Sequence, residues 1–265
     1  MDPVALALVL GAAALHAGWN RLLHDAPDRI ASIAVAGLFG GLLLLPAVVL
    51  QPPASVLPLV ALSALLEAAY AISLAAAYRY GDLSLAYPIG RGLSPLLVTL
   101  GAWTILGQGL NPASIAGATS LGLGLAAIAW RGTAVDRRAA VLFAALTGAC
   151  IAGYSLVDSQ AVRHAAPAGY LGLVLGIQGL LLALWTRPTP ARWRASARPG
   201  ALIAFGSVAA YLMVLLAFQR SSPGPIATLR EVSVLIGILL SRQRPRKAVW
   251  LGGGLVILGA VLVSW

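Results

Sequence analysis

Ten solidly apolar runs follow one another along this chain, at residues 3–19, 30–50, 57–78, 84–106, 112–130, 138–158, 168–186, 200–219, 223–241 and 247–264. Short polar or proline-bearing breaks part them: Asp25-Ala26-Pro27, Pro52-Pro53, Gly81-Asp82, Asn111-Pro112, Asp136-Arg137-Arg138, Pro167, Arg187-Pro188, Pro223-Gly224-Pro225 and Pro245. Such residues end helices and favour turns. A helix needs about 20 apolar residues to cross a bilayer, whereas membrane strands run about 10 residues and alternate. The pattern predicts an all-α polytopic membrane protein with ten transmembrane helices. The first run follows Met1-Asp2-Pro3 with no basic stretch before it, so it reads as a retained span and not a signal peptide.

Composition agrees. Of 265 residues, 60% are hydrophobic and 10% charged, against about 25% charged in soluble domains. The net charge of +10 would suit nucleic acid, but the basic residues lie in short loops between apolar runs. Their distribution instead sets orientation. The odd-numbered loops carry Arg21, Arg29, Arg79, Arg131, Arg137, Arg138, Arg187, Arg192, Arg194, Arg198, Arg242, Arg244, Arg246 and Lys247; the even-numbered loops carry Arg163 and Arg220. By the positive-inside rule the odd loops face the cytoplasm of an inner or plasma membrane, and both termini face outward. Cys150 is the single cysteine, which excludes an intrachain disulfide and a multi-cysteine metal site.

The two halves, 1–134 and 135–265, align. Ala17-Gly18-Trp19 matches Ala152-Gly153-Tyr154 at an offset of 135, Tyr70 matches Tyr211 at 141, and Arg91 with Ser94 matches Arg230 with Ser233 at 139. Five spans per half is an odd number, so the copies insert in opposite orientations. Inverted repeats of this kind enclose a binding site near the membrane midplane. The halves differ in one place: Arg91 lies 21 residues before Pro112, but Arg230 only 15 before Pro245. The ninth span is therefore short, and either thins the bilayer, tilts, or is interrupted near Arg230.

At these residues the chain resembles the drug/metabolite transporter superfamily, of the ten-helix EamA type. The segments that carry the resemblance are Ala17-Gly18-Trp19-Asn20, Gly81 through Pro88 running into Ile89-Gly90-Arg91-Gly92-Leu93-Ser94-Pro95, Ile151 through Asp158, and Leu229-Arg230-Glu231-Val232-Ser233-Val234. The resemblance implies two inverted five-helix repeats around a central cavity and transport of small metabolites, often as export. Two features depart from that family. Its frequent Gly-Glu-Arg after the fourth and ninth spans is Gly107-Gln108-Gly109 and Ser241-Arg242-Gln243 here. Its commonly described orientation also has both termini in the cytoplasm, opposite to the charge bias.

A charge at the centre of a membrane helix costs roughly 2.5–3.5 kcal/mol on insertion scales, so such residues mark polar paths. Ser63, Glu67 and Tyr70 form one stripe on the third span. Glu67 is either a proton-carrying or cation-recognising carboxylate, or the partner of an arginine. Tyr87, Arg91 and Ser94 share a face of the fourth span between Pro88 and Pro95, which free backbone carbonyls. Arg91 either grips a carboxylate or phosphate with its planar fork or ties its helix to Glu67 or Glu231. Arg230 and Glu231 are neighbours about 100° apart, so one can line a cavity while the other ties to another helix. Glu67, Arg91, Arg230 and Glu231 sum to zero charge, which suits mutual pairing and suits a zwitterionic substrate that replaces it. His16 and Asn20 flank Trp19; Tyr154 and Asp158 have similar spacing. His16 and Glu231 join Glu67 as candidates for proton coupling. Trp19, Asn20, Tyr70, Tyr87, Tyr154 and Tyr211, with Arg91, Ser94 and Arg230, are the candidate substrate residues. Trp130, Trp185, Trp250 and Trp265 read as interfacial anchors.

Two small-residue faces, Ser32/Ala36/Gly40 and Ala116/Ser120/Gly124, suit close helix packing, and Gly252-Gly253-Gly254 suits the same or a homodimer. The chain holds no Gly-Lys-Ser/Thr nucleotide loop, no His-Glu-x-x-His and no Gly-x-Ser-x-Gly. The expectation is thus a secondary transporter, not an enzyme, with no metal, cofactor or nucleic acid. Its partners are the bilayer and a small polar or amphipathic metabolite, such as an amino acid, moved by alternating access. A flippase for a lipid-linked phosphate is the alternative.

Overall fold

The computed structural model describes residues 1–81, 83–109, 111–129, 134–233, 236 and 247–264. Among them the chain is a succession of helices: α1 (Pro3–His24), α2 (Arg29–Leu43), α3 (Leu45–Leu50), α4 (Leu57–Tyr80), α5 (Leu83–Thr104), α6 (Pro112–Ala129), α7 (Arg137–Ala161), α8 (Pro167–Thr186), α9 (Pro190–Phe218), α10 (Pro223–Arg230) and α11 (Lys247–Ser264). It is an all-α polytopic membrane protein. Five of the helices are long and apolar enough to cross a bilayer: α1, α4, α7, α8 and α9.

The helix starts follow from local chemistry. Proline opens α1, α6, α8, α9 and α10, where its missing N–H costs nothing. The Ala5, Ala31 and Ala139 amides donate to Asp2, Asp28 and Asp136 at 2.8, 3.0 and 3.0 Å, which caps α1, α2 and α7. After α5, Gly107 takes the left-handed φ of 64° that favours glycine.

Two expected spans differ from the structure. The run 30–50 is divided at Leu44 into α2 and α3, because Pro46 has no N–H to continue the ladder. The run expected at 200–219 begins ten residues earlier, at Pro190, giving a helix of 29 residues. That is roughly 43 Å, longer than a hydrocarbon core of about 30 Å. Its first turns therefore overhang the membrane and carry Arg192, Arg194 and Arg198, which had read as a loop. Arg192 pairs there with Asp28 at 2.5 Å and joins α9 to α2. The ninth run is broken: α10 stops at Arg230 and Glu231 forms the turn after it. Its expected remainder to 241, the Ser241-Arg242-Gln243 segment, Trp130 and Trp265 lie outside the described residues.

Pairings between helices are long-range. Helix α1 packs on α9, α4 on α7, α2 on both α8 and α9, α5 on α6 and α7, and α6 on α11. Small residues make the closest approaches. A Cβ on Gly37 would lie 2.8 Å from the Leu175 carbonyl oxygen, so α2 meets α8 backbone to backbone. Ser120 Oγ donates to the Leu255 carbonyl at 2.9 Å where α6 meets α11. The largest apolar core lies at the helix ends next to the even-numbered loops. It gathers Val9 of α1, Val60 of α4, Val162 after α7, Tyr170 of α8, Phe218 of α9 and Ile226 of α10. Beside it, Gln219 Nε2 donates to the Val162 carbonyl at 2.8 Å, and Ser55 Oγ to the His164 carbonyl at 3.2 Å.

Candidate functional site

A cavity of about 890 Å³, its mouth included, opens between eight of these helices. Most of the wall is apolar. Its polar members are His16 and Trp19 of α1, Glu67 and Tyr70 of α4, Arg91 of α5, Tyr154 of α7, Gln178 of α8, Ser207 and Tyr211 of α9, and Arg230 of α10. Along α1 the wall runs from Ala12 to Leu23, and along α9 from Val214 to Ile203. It extends from mid-helix toward the odd-numbered loops, while the large apolar core closes the opposite side.

The three residue pairs matched between the halves, Trp19 with Tyr154, Tyr70 with Tyr211 and Arg91 with Arg230, all line this cavity. The tyrosines form an edge-to-face chain, Tyr70 to Tyr154 at 6.1 Å and Tyr154 to Tyr211 at 6.0 Å between centroids. His16 stands edge-on to Trp19 at 4.6 Å.

The two arginines are held differently. Arg91 is 4% exposed, and its Nε lies 2.8 Å from Glu231 Oε2, itself 2% exposed. Arg91 Nη2 also donates to Ser233 Oγ at 3.1 Å. This guanidinium joins α5 to the turn that ends α10. Arg230 is 6% exposed. Its Nη1 donates to Ser155 Oγ at 3.4 Å, and its cation lies 5.4 Å from the Tyr211 ring centroid. Among the described residues no carboxylate comes within ion-pair distance of Arg230. The same holds for Glu67, 8% exposed on the opposite wall, whose backbone carbonyl accepts a hydrogen bond from Gln178 Nε2 at 3.5 Å.

Other candidates lie elsewhere. Glu231 is behind Arg91 and off the cavity wall. Ser94 is buried one turn along α5 and donates to the Arg91 carbonyl at 3.3 Å, within its own helix. Asn20 adjoins Trp19 but is off the wall; its Nδ2 and Trp19 Nε1 are buried with no hydrogen-bond partner. The Tyr87 side chain lies outside the described residues.

Asp158 was not among the candidates. It is 0% exposed on α7. Ser63 Oγ of α4 and Tyr170 OH of α8 each donate to its Oδ1 at 2.6 Å, and Tyr211 OH of α9 donates to its Oδ2. With Asp158 included, the buried set holds three carboxyl groups against two guanidiniums. The sequence offered a signal for it, an acidic residue inside an apolar run, as for Glu67. The partners could not be read, because Ser63 and Tyr211 lie 95 and 53 residues away.

A comparison with curated proteins finds no match. A solved crystal structure superposes with a TM-score of 0.69 at 20% identity, covering 98% of each chain, which shows a shared fold alone. Residues 138–265 match the model of the EamA-like transporter family. Through that second half the chain belongs to the EamA-like transporters of the drug/metabolite superfamily.

Proposed function

We propose that the protein is a secondary transporter that exports a small zwitterion, such as an amino acid, by alternating access. The observation that carries this reading is Arg230, a buried cation on the cavity wall with no carboxylate beside it. A buried charge is stable when something pairs with it, and a substrate carboxylate suits the guanidinium fork. Glu67 supplies the complementary charge for a substrate ammonium. The unpaired Trp19 and Asn20 donors and the tyrosine chain suit an amphipathic body.

The pairing pattern supports two inverted repeats, 1–134 and 135–265, around this cavity. Exchanging each span with the one five later turns the α4–α7 contact into α1–α9, and α2–α9 into α4–α8. It returns α2–α8 and α6–α11 to themselves. The carboxylates break this symmetry. By the offsets of the halves, Glu67 corresponds to Val208 and Asp158 to Leu23. A difference between the halves is what a directional cycle requires.

The arginine-rich loops face the cytoplasm in this reading, and both termini face outward. The cavity then extends toward the cytoplasm and is closed from outside, a state that accepts cargo for export. A C-terminal alkaline phosphatase fusion, active only outside, should be active, and a C-terminal green fluorescent protein fusion dark. The reverse pattern overturns the orientation.

The function is tested by thermal unfolding of purified protein with amino acids, simple carboxylates, amines and lipid phosphates. A ligand at about 100 times its Kd adds about 2.7 kcal/mol. Amino acids should stabilise the protein more than carboxylates or amines of the same size. In proteoliposomes Glu67→Gln should abolish accumulation driven by a proton gradient while leaving substrate exchange measurable. Unchanged proton-driven accumulation in this variant would remove Glu67 from coupling. Stabilisation by lipid phosphates alone would replace this reading with a flippase.

A further inference from the structure

Asp158 is the most densely bonded side chain in the protein and lies off the cavity wall. Three hydroxyl donors occupy most of the acceptor positions of a carboxylate, so little capacity is left for a substrate. The donors come from three other helices: Ser63 from α4, Tyr170 from α8 and Tyr211 from α9. Past Asp158 along α7 the chain enters the large apolar core, with Ala161 and Val162. The four helices joined at this carboxylate are therefore among those that close the cavity on its even-loop side.

We propose that Asp158 is the latch of that closure and a positioning residue for the substrate site, acting through Tyr211. Tyr211 belongs to both places. Its hydroxyl is on Asp158 and its ring is 5.4 Å from the Arg230 cation. An anion arriving at Arg230 competes with the ring for that cation, so binding loosens the one latch member that lines the cavity. Parting of α4, α8 and α9 from α7 strips the donors from Asp158. A carboxylate without donors is tolerated only where water reaches it, so release of the latch and wetting of the even-loop side occur together. The purpose of such a latch rests on the transporter reading. Thiol reactivity of the empty protein does not, and it separates the two.

The experiment uses two reporters, each in a Cys150→Ala background. Val60→Cys probes the apolar core beyond Asp158, and being smaller than valine it does not overfill the site. Ile33→Cys probes the cavity wall near the odd-numbered loops. Both are labelled with a membrane-impermeant maleimide, with Tyr211→Phe, Ser63→Ala or Asp158→Asn added. Latch release should speed labelling at Val60→Cys at least tenfold in Tyr211→Phe, less in Ser63→Ala, and slow labelling at Ile33→Cys several-fold as the other side closes. A merely structural role would speed both together, and that result overturns the latch, as does no change at either reporter. Tyr211→Phe and Ser63→Ala each remove one bond and keep the carboxylate, so they decide the question even where Asp158→Asn fails to fold.

Discussion

Replacing Arg91 by alanine should lower stability by about 3–5 kcal/mol, the usual cost of orphaning one member of a buried ion pair. The variant leaves Glu231, 2% exposed, without the guanidinium 2.8 Å from it. Ser233 loses a hydrogen bond as well. The damage should concentrate at α10, a helix of 8 residues. A helix this short has little stability of its own and depends on packing. Removing both charges is a different experiment. Arg91→Met with Glu231→Leu fills similar volume and leaves no buried charge, and such exchanges are often neutral or stabilising. Thermal unfolding should therefore show a large loss in the single variant and recovery in the double. If Arg91→Ala unfolds like the unaltered protein, the pair does not hold α5 to α10.

The span boundaries were legible because each lies at a residue with one strong local effect. Proline at a helix start and an aspartate cap act within four residues, inside the reach of a sequence pattern. The N-terminal overhang of α9 was misread for the opposite reason. Its arginines read as loop, yet Arg and Ala are good helix formers and the solvent outside the bilayer accepts their charge. The aromatic and arginine wall was legible through repetition, since equivalent places in two copies converge on one axis. Asp158 depended on three donors from distant helices, and no periodicity reports such a meeting. What the sequence left open about the arginines, pairing or binding, was a question of which carboxylate lay near each. Adjacent positions on a helix point about 100° apart, and here that difference sends Glu231 to Arg91 and Arg230 to the cavity.

Arg230→Met should lower zwitterion affinity by about 100-fold or more while leaving the protein folded. Methionine keeps most of the length of the side chain and removes the charge. Hydrogen bonds to a charged group contribute about 1.5–3 kcal/mol each, and a bidentate guanidinium makes two, so loss of even part of that exceeds 2.7 kcal/mol, or about 100-fold. The fold should suffer little, because the only direct partners lost are a 3.4 Å hydrogen bond to Ser155 and the contact with the Tyr211 ring. Removing a buried cation that has no carboxylate beside it also removes its desolvation cost. Arg230→Lys should fall between, since it keeps the charge and loses the planar fork. Calorimetric titration of each variant with the best-stabilising amino acid measures the affinities, and thermal unfolding without ligand measures the fold. The two arginines thus make opposite demands. Arg91→Ala should lose stability first, and Arg230→Met should lose binding first. If Arg230→Met binds normally, the anion subsite is not at Arg230, and the cavity serves a substrate without a carboxylate.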